Sequence, residues 1–130
     1  CSRDWSSDVC SSDLREPLLG TIEIDVVRLD DDLPAKPDFL KIDVEGSDLQ
    51  ALVGAERTLS ARPLMNLELH NFLFESRLDT VRRIFERLAP LRYRYAVIPR
   101  IEDGIVDLGT AVDVERMAAW DNPHVLCVPE

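Results

Sequence analysis

The feature that most constrains this chain is a strand-like run that passes without a linker into a helix-like one. Residues 38–43 read DFLKID, with Phe39, Leu40 and Ile42 apolar, and Val44, Glu45 and Gly46 follow at once. From there Leu49, Leu52, Val53 and Leu59 recur at helical spacing as far as Ser60, and Pro63 closes the segment. A short apolar run giving way to a period of about 3.6 is how a βα unit reads in sequence. Ser47 with Gln50 three residues on has the pattern of a capping box at the start of that helix. Pro63 then opens LMNLELH, a second strand-like run carrying Leu64, Leu67 and Leu69.

The same alternation continues. A second helix is expected to begin near Glu75 and to run through residues 80–88, with Leu78, Val81, Ile84, Phe85 and Leu88 on one face. Its other side carries Arg82, Arg83, Glu86 and Arg87, a solvated face, and Pro90 stops it. The run RYRYAVIP reads as a strand, Glu102, Asp103 and Gly104 as a turn, and residues 105–108 as the return strand of a hairpin. Asp113 is placed to cap a short helix ending at Ala119, and residues 124–128 form a closing apolar strand before Pro129. Upstream, TIEIDVVRL alternates, with Ile22, Ile24 and Val26 on one side and Glu23 and Asp25 on the other. It reads as a half-buried strand ended by Asp30, Asp31, Asp32 and Pro34. Strands alternating with helices predict an α/β domain on a mostly parallel sheet, with an antiparallel hairpin or closing strand at its end.

The first fourteen residues, CSRDWSSDVCSSDL, stand apart. They are polar and aperiodic, and DWSSDVCSSDL resembles the translation of a sequencing-library adapter. Residues 1–14 are therefore set aside as a foreign segment, and residues 15–130 are taken as the domain, a C-terminal half whose N-terminal portion is expected to be lost. That leaves Cys127 as the single native cysteine. One thiol closes no internal disulfide, and with no export signal a cytoplasmic setting is expected. Cys127 lies in an apolar run and reads as a packing residue rather than a nucleophile. The net charge of −10 argues against nucleic-acid backbone and anionic membrane surfaces as partners, since both select basic proteins. No apolar run approaches the roughly 20 residues of a membrane span.

Ligands of open α/β sheets sit at the carboxyl ends of the strands. Two such ends are polar here: Asp43, Val44, Glu45 and Gly46 after the first strand, and Glu68, Leu69, His70 and Asn71 at the end of the next. If the two strands are neighbours, Asp43, Glu45, Glu68 and His70 converge on one rim. Acids beside an imidazole can hold a hydroxyl, remove its proton or ligate a divalent cation. Each residue also has a structural reading. Asp43 can cap the helix that follows, and Glu45 gains from that helix's dipole. His70 can be an ordinary hydrogen-bonded histidine, and Gly46 serves a tight turn or a close backbone approach. Glu68 is the hardest to explain as structure, because its strand is otherwise apolar and burying a carboxylate is costly. The chain contains no Gly-rich phosphate cradle, GxSxG elbow, HExxH or Walker motif.

The segment VVRLDDDLPAKPDFLKIDVEGSDLQALVGAERTLSARPLMNLELH resembles the C-terminal signature of FkbM-type methyltransferases. The elements that carry the likeness are Leu29, Asp30 and Asp31; KIDVEG at residues 41–46; Leu52, Gly54 and Ala55; and the proline-led strand from Pro63 to His70. The terminal NPHVLCVP is similar to the family's closing strand, and the likeness covers roughly residues 21–128. It implies a Rossmann-like class I methyltransferase fold, of which only the C-terminal half is present. It also implies S-adenosylmethionine as methyl donor and O-methylation of a hydroxyl on a sugar or natural product. Asp43 and Glu45 would then lie at the cofactor's methionine end. Asp43, Glu68 and His70 would be catalytic, with His70 or Glu68 the base. The family's Gly-rich turn and ribose-binding acid are not in this sequence, so the fragment is expected to bind the cofactor weakly and to be inactive alone. The resemblance names no metal ligand.

Two other readings compete. Asp43, Glu45 and Glu68 could build a metal-dependent phosphoryl-transfer or hydrolytic site, which metal titration without cofactor would reveal. Alternatively the chain is a non-catalytic α/β binding or regulatory module. The acceptor's identity and the oligomeric state are not legible in the sequence.

Overall fold

A computed structural model describes residues 22–130. The segment 1–14, set aside above as foreign, lies outside the described residues, as does Thr21. The described chain runs α1 (Leu29–Asp32), β1 (Phe39–Ile42), α2 (Asp48–Val53), α3 (Glu56–Ser60), β2 (Leu64–Glu68), α4 (Arg77–Leu88), β3 (Tyr93–Ile98), β4 (Val106–Gly109), α5 (Val114–Ala119) and β5 (His124–Pro129). The strands form one sheet in the order β1-β2-β5-β3-β4.

The expectation of a mostly parallel sheet is overturned. Among the described residues β1 and β2 pair in parallel, and the other three pairings, β2 with β5, β5 with β3 and β3 with β4, are antiparallel. The reason lies in the connections. β1 reaches β2 through the α2–α3 crossover, and β2 reaches β3 through α4, so these three strands share one direction. The closing strand β5 inserts between β2 and β3 in the opposite sense, turning what would be one parallel ladder into two antiparallel ones. The hairpin onto β4 adds the third.

One face of the sheet carries the core. Met65, Leu67, Tyr93, Tyr95, Val97, Val125 and Cys127 alternate inward, and the apolar faces of α2 to α5 close over them. In α4 the residues Val81, Ile84, Phe85 and Leu88 are buried as expected, while Leu78 is half-exposed. Each such aliphatic side chain contributes about 1.5–3 kcal/mol of burial. The Phe85 ring meets Tyr95 edge-on at 5.5 Å. Cys127 is buried in this layer, and burial pushes its thiol up to about 12, consistent with packing rather than nucleophilic chemistry. Asp113 caps α5 as expected, its side chain accepting from Arg116 N at 2.9 Å. Among the described residues no helix is long and apolar enough to cross a membrane.

Two further expectations fail. The alternating segment 21–29 is not a strand where it is described. Residues 22–27 are irregular, Ile22 and Ile24 are exposed, and the chain enters α1 at Leu29. An alternating pattern specifies a strand only when a neighbour accepts its backbone bonds, and no described strand pairs with this segment. The single helix expected up to Ser60 is broken at Gly54 and Ala55 into α2 and α3. The break is filled from a distance. The buried Asp30 carboxylate accepts from Arg57 N (2.7 Å), Thr58 N (2.8 Å) and Thr58 Oγ1 (2.8 Å), and Asp30 N donates to Gly54 O at 2.9 Å. A carboxylate on the first amides of α3 does the work of a cap and favours restarting the helix there. Burial raises the Asp30 carboxyl, but the bonds from Arg57 and Thr58 outweigh it and hold it below the usual carboxylate range. The capping box expected at Ser47 does not form, since its side chain makes no capping bond.

Candidate functional site

The parallel pairing of β1 with β2 positions the site. Ile42 lies opposite Leu67, so the next residues, Asp43 and Glu68, leave neighbouring strand ends side by side. Side chains two apart in a strand share a face, which places Lys41 with Asp43. Lys41 Nζ donates to Asp43 Oδ2 at 2.7 Å and lies 3.5 Å from Glu68 Oε2. The hydrogen bond from Lys41 is the main reason that the Asp43 carboxyl lies below its usual range, and the same bond raises the Lys41 ammonium. At neutral pH this is a charged pair, and Asp43 is a weak proton acceptor.

Beyond β2 the chain makes a single 3₁₀ turn at Asn71–Leu73. Fully buried Asn71 donates from Nδ2 to Met117 O (3.0 Å) and Trp120 O (2.8 Å), tying the turn to the end of α5. The anchored turn holds His70 against the rim. Its ring is 5 % exposed, and Nε2 points at Glu45 Oε2 (3.5 Å) and Asp43 Oδ1 (3.9 Å) without a hydrogen bond to either. On the other side Glu68 Oε1 accepts from Asn122 Nδ2 at 3.3 Å and lies 3.7 Å from His124 Nε2. All four residues singled out from the sequence thus meet at one rim, with Glu45 the most exposed of them.

The loop between β1 and α2 is held in an uncommon backbone conformation. Glu45 has φ 49° and Gly46 has φ 88°, consecutive residues in the left-handed region. A Cβ on Gly46 would come within 2.9 Å of Leu73 Cβ, so the site needs glycine for both its dihedral and its space. Replacing Gly46 by Ala is expected to destabilise the fold by about 2 kcal/mol or more and to displace Glu45 and Leu73. Urea unfolding measures the first, and a stability equal to wild type would show that the loop relaxes freely.

Sequence reasoning missed several participants. Lys41 was visible in KIDVEG, and its two-residue spacing from Asp43 was the signal that could have found it. Asn122 and His124 reach Glu68 only because β5 pairs with β2 in the register Glu68 to His124, which no local pattern encodes. Asp48 lies in the first turn of α2, where an acid carries no sequence signal of its own. It is fully buried, and neither carboxylate oxygen has a hydrogen-bond partner among the described residues. Burial pushes its carboxyl up to about 6, against smaller opposing pulls from its own backbone amide and from His70.

Beside this rim, between β1 and α2, lies an open cavity of about 480 Å³. Val27, Leu29, Leu40, Val44 and Ala51 line it, with Lys41, Ser47 and Gln50 as its polar groups. Its size and mostly apolar lining fall within the range of small-molecule sites.

Compared with known proteins, residues 3–95 match the model of a family described as the methyltransferase FkbM domain. No curated protein and no solved structure matches the chain.

Proposed function

Starting from the chain's membership of the FkbM methyltransferase family, we propose that it takes part in methyl transfer from S-adenosylmethionine to a hydroxyl of a small molecule or saccharide. We further propose that it does so within a Rossmann-like fold. The observation that carries this reading is the convergence of Asp43, Glu45, Glu68 and His70 where two parallel strands end.

The donor set fits the cofactor's chemistry. Its methionine end carries an ammonium beside a sulfonium, and both are cations that an acidic rim attracts. Glu45 is exposed and has no ammonium partner among the described residues, so it is the carboxylate best placed for that amine, with Asp43 behind it. The cofactor supplies a methyl group bound to positively charged sulfur. The chain's own residues must orient the accepting oxygen in line with that bond, keep water out and receive the hydroxyl proton. Glu68 is already engaged by Lys41, Asn122 and His124. His70 Nε2 faces the rim without a hydrogen bond among the described residues and is the better placed proton acceptor. The proton released from the accepting hydroxyl would pass to the His70 imidazole.

The experiment, on a version of the chain extended upstream to carry the cofactor-binding half, is transfer of a labelled methyl group from S-adenosylmethionine to a panel of polyhydroxylated acceptors. Labelled ether is expected, and Glu68→Gln, which weakens the hold on Lys41, is expected to lower its rate about tenfold or more. Label appearing on amines or thiols instead, or rates untouched by Glu68→Gln, would remove this reading.

A further inference from the structure

We propose that the rim binds one divalent transition-metal cation, with Asp43, Glu68 and His70 as its protein ligands. One donor atom from each of the three lies within 4.8 Å of the other two. Three donors each about 2.2 Å from a shared ion stand about 3.1–3.8 Å apart, so closure on an ion needs side-chain shifts of up to about an ångström. The residues come from two adjacent strand ends and the anchored turn after β2, which makes the arrangement a property of the fold rather than of one mobile loop.

The independent observation is the imidazole. His70 is 5 % exposed, yet its Nδ1 has no partner among the described residues, and its Nε2 faces Asp43 Oδ1 at 3.9 Å and Glu45 Oε2 at 3.5 Å without a hydrogen bond to either. Buried polar nitrogens are almost always paired, and an imidazole held against carboxylates beyond hydrogen-bond reach leaves a gap that a cation can bridge. One imidazole with two carboxylates, and room left for water or substrate, suits manganese or ferrous iron better than an all-oxygen calcium site.

Lys41 is the competitor. Its ammonium stands between Asp43 and Glu68 and neutralises them. It sits on a half-exposed, flexible stem, so a divalent ion can displace it. The role of the ion rests on the methyl-transfer reading: a hydroxyl oxygen in an open position is acidified by the metal, so in the loaded site Nε2 holds the ion and not the proton. The site itself is tested with manganese(II) alone and no methyl donor, so failure of either idea leaves the other measurable.

The test is an electron paramagnetic resonance titration of the chain with manganese(II), with pulsed detection of nitrogen coupling. Expected are one saturable ion per chain and coupling to one imidazole nitrogen. Affinity should fall at least tenfold in Glu68→Gln and rise at least tenfold in Lys41→Met. Both positions are partly exposed at the rim, so folding is not at stake. The absence of saturable binding or of nitrogen coupling overturns the proposal, and so does an affinity indifferent to both substitutions.

Discussion

Replacing His70 by Gln is expected to lower methyl transfer by about 10²–10⁴-fold, the span that a positioned proton acceptor contributes. Glutamine keeps much of the imidazole's volume and a polar tip but neither accepts a proton at neutral pH nor binds a metal well. The packing around His70 should largely persist, apart from the edge-on ring contact with Phe72 at 5.9 Å, which glutamine cannot make. Circular dichroism and urea unfolding should therefore report a folded chain while turnover collapses. The same variant separates two tasks. A loss that stays constant as manganese(II) is raised assigns the imidazole to the proton, and a loss that excess manganese(II) partly recovers assigns it to the ion. Retention of more than about a tenth of wild-type turnover at every metal concentration excludes both.

The convergence behind that prediction was half legible in the sequence. The polar ends DVEG and ELHN are local signals, and a crossover helix between two short strands makes their pairing a reasonable expectation. That part holds, because β1 and β2 are parallel neighbours. What no local pattern encodes is which strand comes next. β5 is the last element in the chain, yet it lies against β2, bringing His124 and Asn122 onto Glu68. Its reversed direction cannot be read from HVLCVP, whose alternation is the same in either sense. The α2–α3 break was misread for a similar reason. Periodicity runs straight through Gly54 and Ala55, and the carboxylate that caps the restarted helix comes from Asp30, far upstream. The segment at residues 22–27 shows the converse, a clear period of two that has no described neighbour to make it a strand. Local propensity proposes elements, and long-range pairing decides among them.

Asp48 is where the two kinds of information disagree most, and it yields the largest expected stability effect. An acid in a first helical turn is ordinarily favourable. This one is fully buried with no hydrogen-bond partner among the described residues, and burial lifts its carboxyl from 3.8 to about 6. A pKa raised on folding means that the native state holds the proton more tightly than the unfolded chain does. The group's stabilising contribution is complete below about pH 3.8 and is lost as pH rises through about 6. At pH 7.5 the native state therefore carries an ionised buried carboxylate, at a cost of about 3 kcal/mol. Asp48→Asn is nearly the shape of the protonated acid and avoids that cost. It is expected to stabilise the fold by up to about 3 kcal/mol at pH 7.5, with most of the difference gone at pH 4. Paired urea titrations of wild type and variant at the two pH values measure it. The depressed carboxyls of Asp30, Asp43 and Asp107 lose stability in acid as pH falls through their own values, but they do so in both proteins and cancel in the comparison. A variant no more stable than wild type at pH 7.5 would mean that the Asp48 carboxylate is compensated in solution. A loaded metal behind His70 supplies that compensation, so the measurement is made with and without chelator, and the gain should be largest when the ion is stripped away.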